Sequence, residues 1–360
     1  MDGVIVVDKP EGWTSHDVVG KMRSIVSGKS RSIVGETPPG TRDVVEATPR
    51  SIVSETPLGT RDVVEATPPD IVAATPTGAI GEKLPRAPKT KVGHLGTLDP
   101  IATGVLPLVI GHATRLAQFY THSDKIYEGV VRFGWATNTY DRAGEPLSER
   151  RELQIDAEEL ERHLGKFRGK FMQTPPPVSA KKVDGRRAYE LARKDIAVEL
   201  APVEIEVYEL TVLAIDGADV RIRAHCSGGT YMRSIAHDLG QSLGCGAHLA
   251  ELRRLASGEF KIEQARTIAQ LESLAATGVA HGQVGLLDAL VPASQMMPAF
   301  PTVFVDSLTA AQIRNGRNFP ASPFRSQPAS QYVKAVTREG QLVAVGEAVL
   351  PNVYHPLVVL

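Results

Sequence analysis

Residues 93–104 read GHLGTLDPIATG, and VLPLVIG follows directly as residues 105–111. Gly93, Gly96 and Gly104 let the backbone take conformations closed to other residues. Pro100 biases Asp99 towards extended backbone and away from a helix interior. A carboxylate on such a constrained loop, beside an apolar run that reads as a buried strand or a helix start, suits a nucleophile or an acid–base group. The same features suit an Asx-turn or a helix N-cap, because Asp before Pro is a common turn opener. On these residues alone both readings stand.

Working outward, the flanks alternate strands and helices. Gly3 to Val7, GVIVV, is a short apolar strand. Thr14 and Asp17 have capping-box spacing, and Val18, Met22, Ile25 and Val26 give the helix that follows an apolar stripe. Ile126 to Gly134 alternates, with Tyr127, Val131 and Phe133 on one face. Asp156 opens a helix, with Glu159 at capping-box spacing. Residues 201–226 hold at least two strands. Thr230 to Leu243 is a helix with Met232, Ile235, Ala236, Leu239 and Leu243 on one side. From Pro298 the texture turns to short strands and turns, a small β-rich module. Strands and helices without strict βαβ alternation predict an α+β chain.

A repeat interrupts this pattern. Arg31 to Pro49 and Arg50 to Pro68 match at 17 of 19 positions, and a decayed third copy begins at Pro69. Two and a half copies are too few to bury a solenoid core. Residues 28–88 contain no Phe, Trp or Tyr and hold 9 of the 25 prolines, so ordering would cost more than burial returns. They are expected to form a mostly disordered insertion, with a partner-binding arm built on the repeated Thr-Pro sites as the alternative. Loop closure at this length costs roughly 2 kcal/mol.

Composition narrows the function. With 2 cysteines, Cys226 and Cys245, neither a disulfide scaffold nor a four-cysteine zinc site is available. His94, His237 and His248 lack metal-ligand spacing, so no metal site is expected. No P-loop, dinucleotide fingerprint or serine elbow is present, which argues against kinases, dehydrogenases and common hydrolases. No apolar run reaches the length of a membrane span, and MDGVIVVDKPEG lacks the pattern of a secretory signal. A cytoplasmic location is expected. The net charge of −1 advertises no nucleic acid by itself, so any such role must come from local patches. Arg253 and Arg254, with Lys181, Lys182, Arg186 and Arg187, are candidates for a phosphate-binding face, against the plainer reading of solvated surface. Gly228 and Gly229 precede a helix whose start carries Tyr231 and Arg233. An anion or a carboxylate could be held there.

Taken in order, several segments resemble the bacterial TruB family of tRNA pseudouridine synthases. They are GVIVVDKPEGWTSHDVV at 3–19, GHLGTLDPIATG at 93–104, DKIY at 124–127, QTPPPVSAKK at 173–182, GTYMR at 229–233 and CGAHLAELRRL at 245–255. The resemblance implies a pseudouridine synthase fold, α+β with a central mixed, mainly antiparallel sheet. More loosely, it implies a PUA-like RNA-binding domain at the C-terminus. The expected division is a catalytic domain at 1–27 and 89–296, the insertion at 28–88, and the PUA-like domain at 297–360.

The activity implied is isomerisation of uridine 55 in the tRNA T-loop, by base flipping, aspartate-dependent glycosidic cleavage and reattachment through C5. Asp99 is the implied catalytic residue, with Arg233 pairing and aiming it. Tyr127 would stack on the flipped base, Tyr231 and Leu252 would line its pocket, and His94 would fill space vacated in the T-loop. Lys9 and Lys182 are implied supporting residues. No cofactor, metal, membrane or guide RNA is implied; the partner is the tRNA T-arm, and a monomer is expected. Val178 stands where the family usually has Tyr or Phe, which would thin one wall of the pocket. Two alternatives remain on the sequence: a tRNA-binding or folding protein with impaired catalysis, and a related synthase acting on another RNA.

Overall fold

The computed structural model describes residues 1–28, 90–179, 182–183, 186–187, 200–281, 284–321 and 330–360. The repeats lie outside the described residues, as does Lys181.

The chain opens with β1 (Gly3–Lys9) and α1 (Ser15–Val26). The capping box at Thr14 forms in full. Thr14 Oγ1 accepts from the Asp17 amide, and the Asp17 carboxylate accepts from the Thr14 amide. The next described elements are β2 (Val92–His94) and β3 (Ala102–Ile110), which resolves the VLPLVIG segment as strand. Next are β4 (Lys125–Phe133), α2 (Ala157–Leu164), β5 (Gly169–Gln173), and the short strands β6 (Lys182–Val183) and β7 (Arg186–Arg187), which pair as a hairpin. Asp156 caps α2 by accepting from the Glu159 amide. The main body continues with β8 (Val203–Asp216), β9 (Asp219–Cys226), α3 (Met232–Ser242), β10 (Ala247–Ser257) and β11 (Phe260–Lys261). It closes with α4 (Ile268–His281), α5 (Val284–Leu287) and β12 (Leu290–Pro292). The sequence reading assigned no helix to residues 268–281.

Its strands form one mixed sheet in the order β12-β1-β3-β10-β4-β9-β8-β5, with β2 on β3 and β11 on β10. Every pairing in it is antiparallel except β3 with β10. That parallel seam sets Leu252 against Ala102 and Arg254 against Gly104. On the other edge of β10, Arg254 faces Tyr127. Three neighbouring strands thus place the entry to β3, residues 252–254 and Tyr127 in one row. Gly104 is needed at the seam: its φ is +96°, and a Cβ there would lie 2.2 Å from the Arg254 carbonyl oxygen.

Both faces of the sheet are covered, which explains why β1 and β3 read as continuous apolar runs. Ile5 and Val7 point to one core with α1, α3 and α4, whereas Val4 and Val6 point to the other. This second core includes the 3-10 helix Gly111–Tyr120 and Val336, Leu342, Val345 and Val358 from the C-terminal sheet. The C-terminal elements are β13 (Thr302–Val305), α6 (Ser307–Arg314), β14 (Phe319–Pro320), β15 (Tyr332–Thr337), β16 (Leu342–Leu350) and β17 (Val353–Val359). They form a separate five-stranded sheet ordered β13-β15-β16-β17-β14. The β-rich C-terminal texture read from the sequence is what the chain adopts.

Candidate active site

The loop from His94 to Ile101 is tied to its surroundings along most of its length. The Leu95 amide donates to the Pro107 carbonyl at 3.0 Å. The buried Ser15 hydroxyl both accepts from the Leu98 amide (2.8 Å) and donates to the Leu98 carbonyl (3.1 Å). The Pro100 carbonyl takes the Gly12 amide at 2.9 Å and the Lys9 ammonium at 3.3 Å. Lys9 is fully buried, and its Nζ also donates to the Pro10 and Trp13 carbonyls. Burial lowers its pKa to about 8, against the opposing pull of Asp99. The sequence motif around Lys9 therefore serves to fix the segment before α1 against the residue that follows Asp99. Ala102 N donates to Asp99 O at 3.1 Å. Asp99 opens a turn through its backbone and leaves its carboxylate for another partner.

That partner is Arg233, in the first turn of α3. Arg233 Nε lies 2.8 Å from Asp99 Oδ2, and Nη2 donates to Oδ1 at 3.2 Å. The guanidinium is 4% exposed, the carboxylate 34%. One member of the pair is thus locked in the protein while the other faces outward. The Nη2 hydrogen bond and the close Nε charge contact together hold the carboxylate against the guanidinium. Arg233 is itself held from behind. Nη1 donates to the Thr139 carbonyl (3.0 Å) and lies 3.5 Å from Asp141 Oδ2, and Nη2 donates to the Val178 carbonyl (2.9 Å). The contribution of residue 178 to Arg233 comes from its backbone, which the departure from an aromatic side chain leaves intact.

Asp141 is absent from the sequence reading. It is buried, and it accepts from Thr139 Oγ1 and the Ala143 amide. The turn that carries it is strained: Tyr140 has a φ of +65°, and its ring stacks on His237 with centroids 3.7 Å apart. Strain of this kind collects at functional sites, where surrounding contacts hold it. Gln173 was also not assigned. Its buried amide accepts from the Tyr231 amide (2.8 Å) and donates to the Tyr231 carbonyl (3.0 Å). With Ser234 donating to the Thr174 carbonyl at 2.8 Å, this pair straps residues 173–179 across the start of α3.

Of the remaining expected residues, Tyr127 and Tyr231 lie close enough to feel the Asp99 charge. Tyr127 on β4 is 8% exposed, and burial raises its phenol pKa. Leu252 on β10 is packed to the same extent beside Ala102. The Tyr231 phenol is raised by burial, with Ser179 pulling the other way. His94 ends β2, and its Nδ1 accepts from the Gly96 amide at 3.4 Å. Lys182 begins the β6–β7 hairpin.

One expectation is corrected. Arg254 is no part of a phosphate-binding face, because it is 1% exposed. Alternation along β10 turns it to the interior, on the same side as Leu252. Arg253 points the other way but is paired with Asp8 through two contacts of 2.9 and 3.1 Å.

Comparison with known proteins fits this geometry. The family description "TruB family pseudouridylate synthase (N terminal domain)" matches residues 85–232, and "tRNA pseudouridylate synthase B C-terminal domain" matches residues 233–297. The tRNA pseudouridine synthase B of Solibacter usitatus is 61% identical over 360 residues, covering 100% of both chains. That of Stutzerimonas stutzeri is 40% identical over 262 residues, 71% of this chain and 82% of its own. Among solved structures, the Cbf5-Nop10-Gar1 complex contains a chain that superposes with a TM-score of 0.60 at 24% identity, covering 97% of this chain and 79% of that one; this likeness concerns the fold. The mixed sheet and the matched family descriptions are those of a pseudouridine synthase. Within that class, the chain belongs to the TruB family.

Proposed function

We propose that this chain converts uridine 55 in the T-loop of tRNA to pseudouridine, as a stand-alone cytoplasmic enzyme that acts as a monomer and needs no guide RNA. The observation that carries this is the outward-facing Asp99 carboxylate, held at two points by buried Arg233, with Tyr127 and Leu252 on adjoining strands. The C1′–N1 bond breaks with Asp99 as the nucleophile or the steering carboxylate. The uracil turns, and C1′ bonds to C5. The C5 proton leaves, and N1 carries a proton in the product. Atoms balance with no redox partner.

In this reading Tyr127 stacks on the extruded base and stands near the proton lost from C5. Tyr231 and Leu252 wall the pocket, and His94 occupies space the flipped bases leave in the T-loop. Base extrusion costs a few kcal/mol, which aromatic stacking partly offsets. The C-terminal sheet serves as a PUA-like RNA-binding domain. Lys182, Arg186 and Arg187 on the β6–β7 hairpin supply phosphate contacts, so tRNA affinity falls steeply between about 50 and about 200 mM salt.

The test is site-resolved pseudouridine detection on an unmodified elongator tRNA transcript, comparing wild type with Asp99→Asn and adding neither metal nor guide RNA. Product at the T-loop uridine from wild type alone is expected. Product at a different uridine overturns the site assignment. Tight tRNA binding with no product from wild type replaces the enzyme with an RNA-binding protein. The intact Asp99–Arg233 pair favours the enzyme.

A further inference from the structure

We infer that Arg254 is a positioning residue for the reaction, a buried cation that holds the Asp99 loop from beneath at the point where it meets Tyr127. Three carbonyls receive its guanidinium. Nη2 donates to Gly96 O at 3.1 Å, Nη1 to Thr97 O at 3.2 Å, and Nε to Val105 O at 2.7 Å. The first two lie just before Asp99 and the third just after it, on β3. One side chain thereby spans both flanks of the catalytic turn. Gly96 passes over it with a φ of +133°, where a Cβ would stand 3.7 Å from Arg254 Nη1.

The choice of residue is informative. A buried cation is costly unless hydrogen bonds satisfy it. Among the described residues no carboxylate lies within ion-pair distance of Arg254; the ion pairs go to Arg233, Arg253 and others. An apolar side chain would pack there without that cost but would remove the guanidinium's three hydrogen bonds. The planar guanidinium reaches its three acceptors in a rigid fork. The backbone of Arg254 is fixed as well, by parallel register with Gly104 and antiparallel register with Tyr127, and the β10–β4 register shifts directly after it. Bulges of this sort commonly re-aim side chains beside active sites. Its charge also opposes the upward pull of burial on the Tyr127 phenol. Arg254 thus links the two residues that flank the base, without reaching solvent itself.

This inference rests on the proposed uridine isomerisation and is tested with wild type in parallel. Arg254→Met and Arg254→Lys are assayed on the same tRNA transcript under saturating and subsaturating conditions. Arg254→Met is expected to lower kcat by about 100-fold, the effect of misplacing a reacting group by roughly 1 Å, with KM for tRNA within about 2-fold of wild type. Arg254→Lys, which keeps the charge but loses the fork, is expected to fall between them. Loss confined to KM overturns the inference in favour of an RNA contact. A kcat within about 3-fold of wild type in folded Arg254→Met also overturns it. If Arg254→Met does not fold, the same kcat and KM split in Arg254→Lys decides. Absence of pseudouridine from wild type is a separate failure, of the functional reading itself.

Discussion

The two sheets treat buried polar groups in opposite ways. Within and beside the ten-stranded sheet, Lys9, Lys125, Asp141, Gln173, Arg233 and Arg254 are buried. The five-stranded sheet has an apolar core of Val305, Ile313, Phe319, Val333, Val343 and their neighbours. Its one buried cation among the described residues is Lys334, whose Nζ donates to the Ser294 and Met296 carbonyls at 3.0 and 2.9 Å. In the first sheet, buried charge fixes a loop and an ion pair. In the second, a single buried charge fastens the sheet to the segment that precedes it. Polar groups inside a protein must be hydrogen-bonded to be tolerated. Where they gather beyond what stability needs, they mark geometry that chemistry depends on.

If that contrast holds, damage at the two places separates into activity and stability. The largest effect is expected for Asp99→Asn. Turnover should fall more than about 1,000-fold, as when a nucleophile is removed, while the thermal midpoint stays within about 2 °C because the amide still faces Arg233. Asp141→Asn comes next, with kcat down roughly 10- to 100-fold and tRNA affinity little changed, since the residue acts by orienting Arg233. A circular dichroism melt and a binding titration alongside the rate assay check both. In the other sheet, Lys334→Met should leave kcat near wild type. It should lower stability by about 1–3 kcal/mol, the cost of leaving buried carbonyls unpaired. Loss of kcat without loss of stability in that variant would break the contrast.

Much of this arrangement is legible in the sequence, and the exceptions have physical reasons. The glycines and Pro100 around Asp99 announce a constrained loop, and the period-two pattern of 126–134 places Tyr127 and Phe133 on a buried face. Asp141 is hidden because NTYDRAGE reads as an ordinary turn. Its role exists only once α3, some 90 residues later, brings Arg233 within 3.5 Å. Arg254 was misjudged by treating two adjacent arginines as one patch. On a strand, neighbours point to opposite faces, so placing Leu252 in the pocket already sends Arg254 inward and Arg253 out. Residues 268–281, IAQLESLAATGVAH, are too evenly apolar for a clear helical stripe. Packing against α1, including the Lys21–Glu272 ion pair at 2.7 Å, gives that helix its place.

The expectation furthest from the chemistry is a pH dependence of stability that originates at the buried cations. Lys9 and Lys125 both have pKa values lowered to about 8, chiefly by burial. In the unfolded chain a lysine keeps its proton to the ordinary value of about 10.4. Between these limits the unfolded state binds more protons, so stability rises with pH. The burden of burying two ammonium groups is complete below pH 8 and is relieved as pH climbs towards 10. Above about pH 9 the buried Cys226 thiol, raised to about 11, opposes this rise, and above about pH 10 the sign reverses, because burial raises the Tyr120 and Tyr127 phenols while their unfolded counterparts ionise. Urea unfolding from pH 7 to 11 should therefore give a stability maximum on the alkaline side, near the point where the lysine gain ends and the tyrosine loss begins. Lys125→Met should flatten the rising limb. The Lys125 ammonium donates to the Ser123 carbonyl, and its loss removes one of the lysines whose pKa burial lowers, Lys334 of the other sheet being another, without touching the Asp99–Arg233 pair. An unchanged rise in that variant would place the titration elsewhere and detach the alkaline behaviour from the buried charge of the larger sheet.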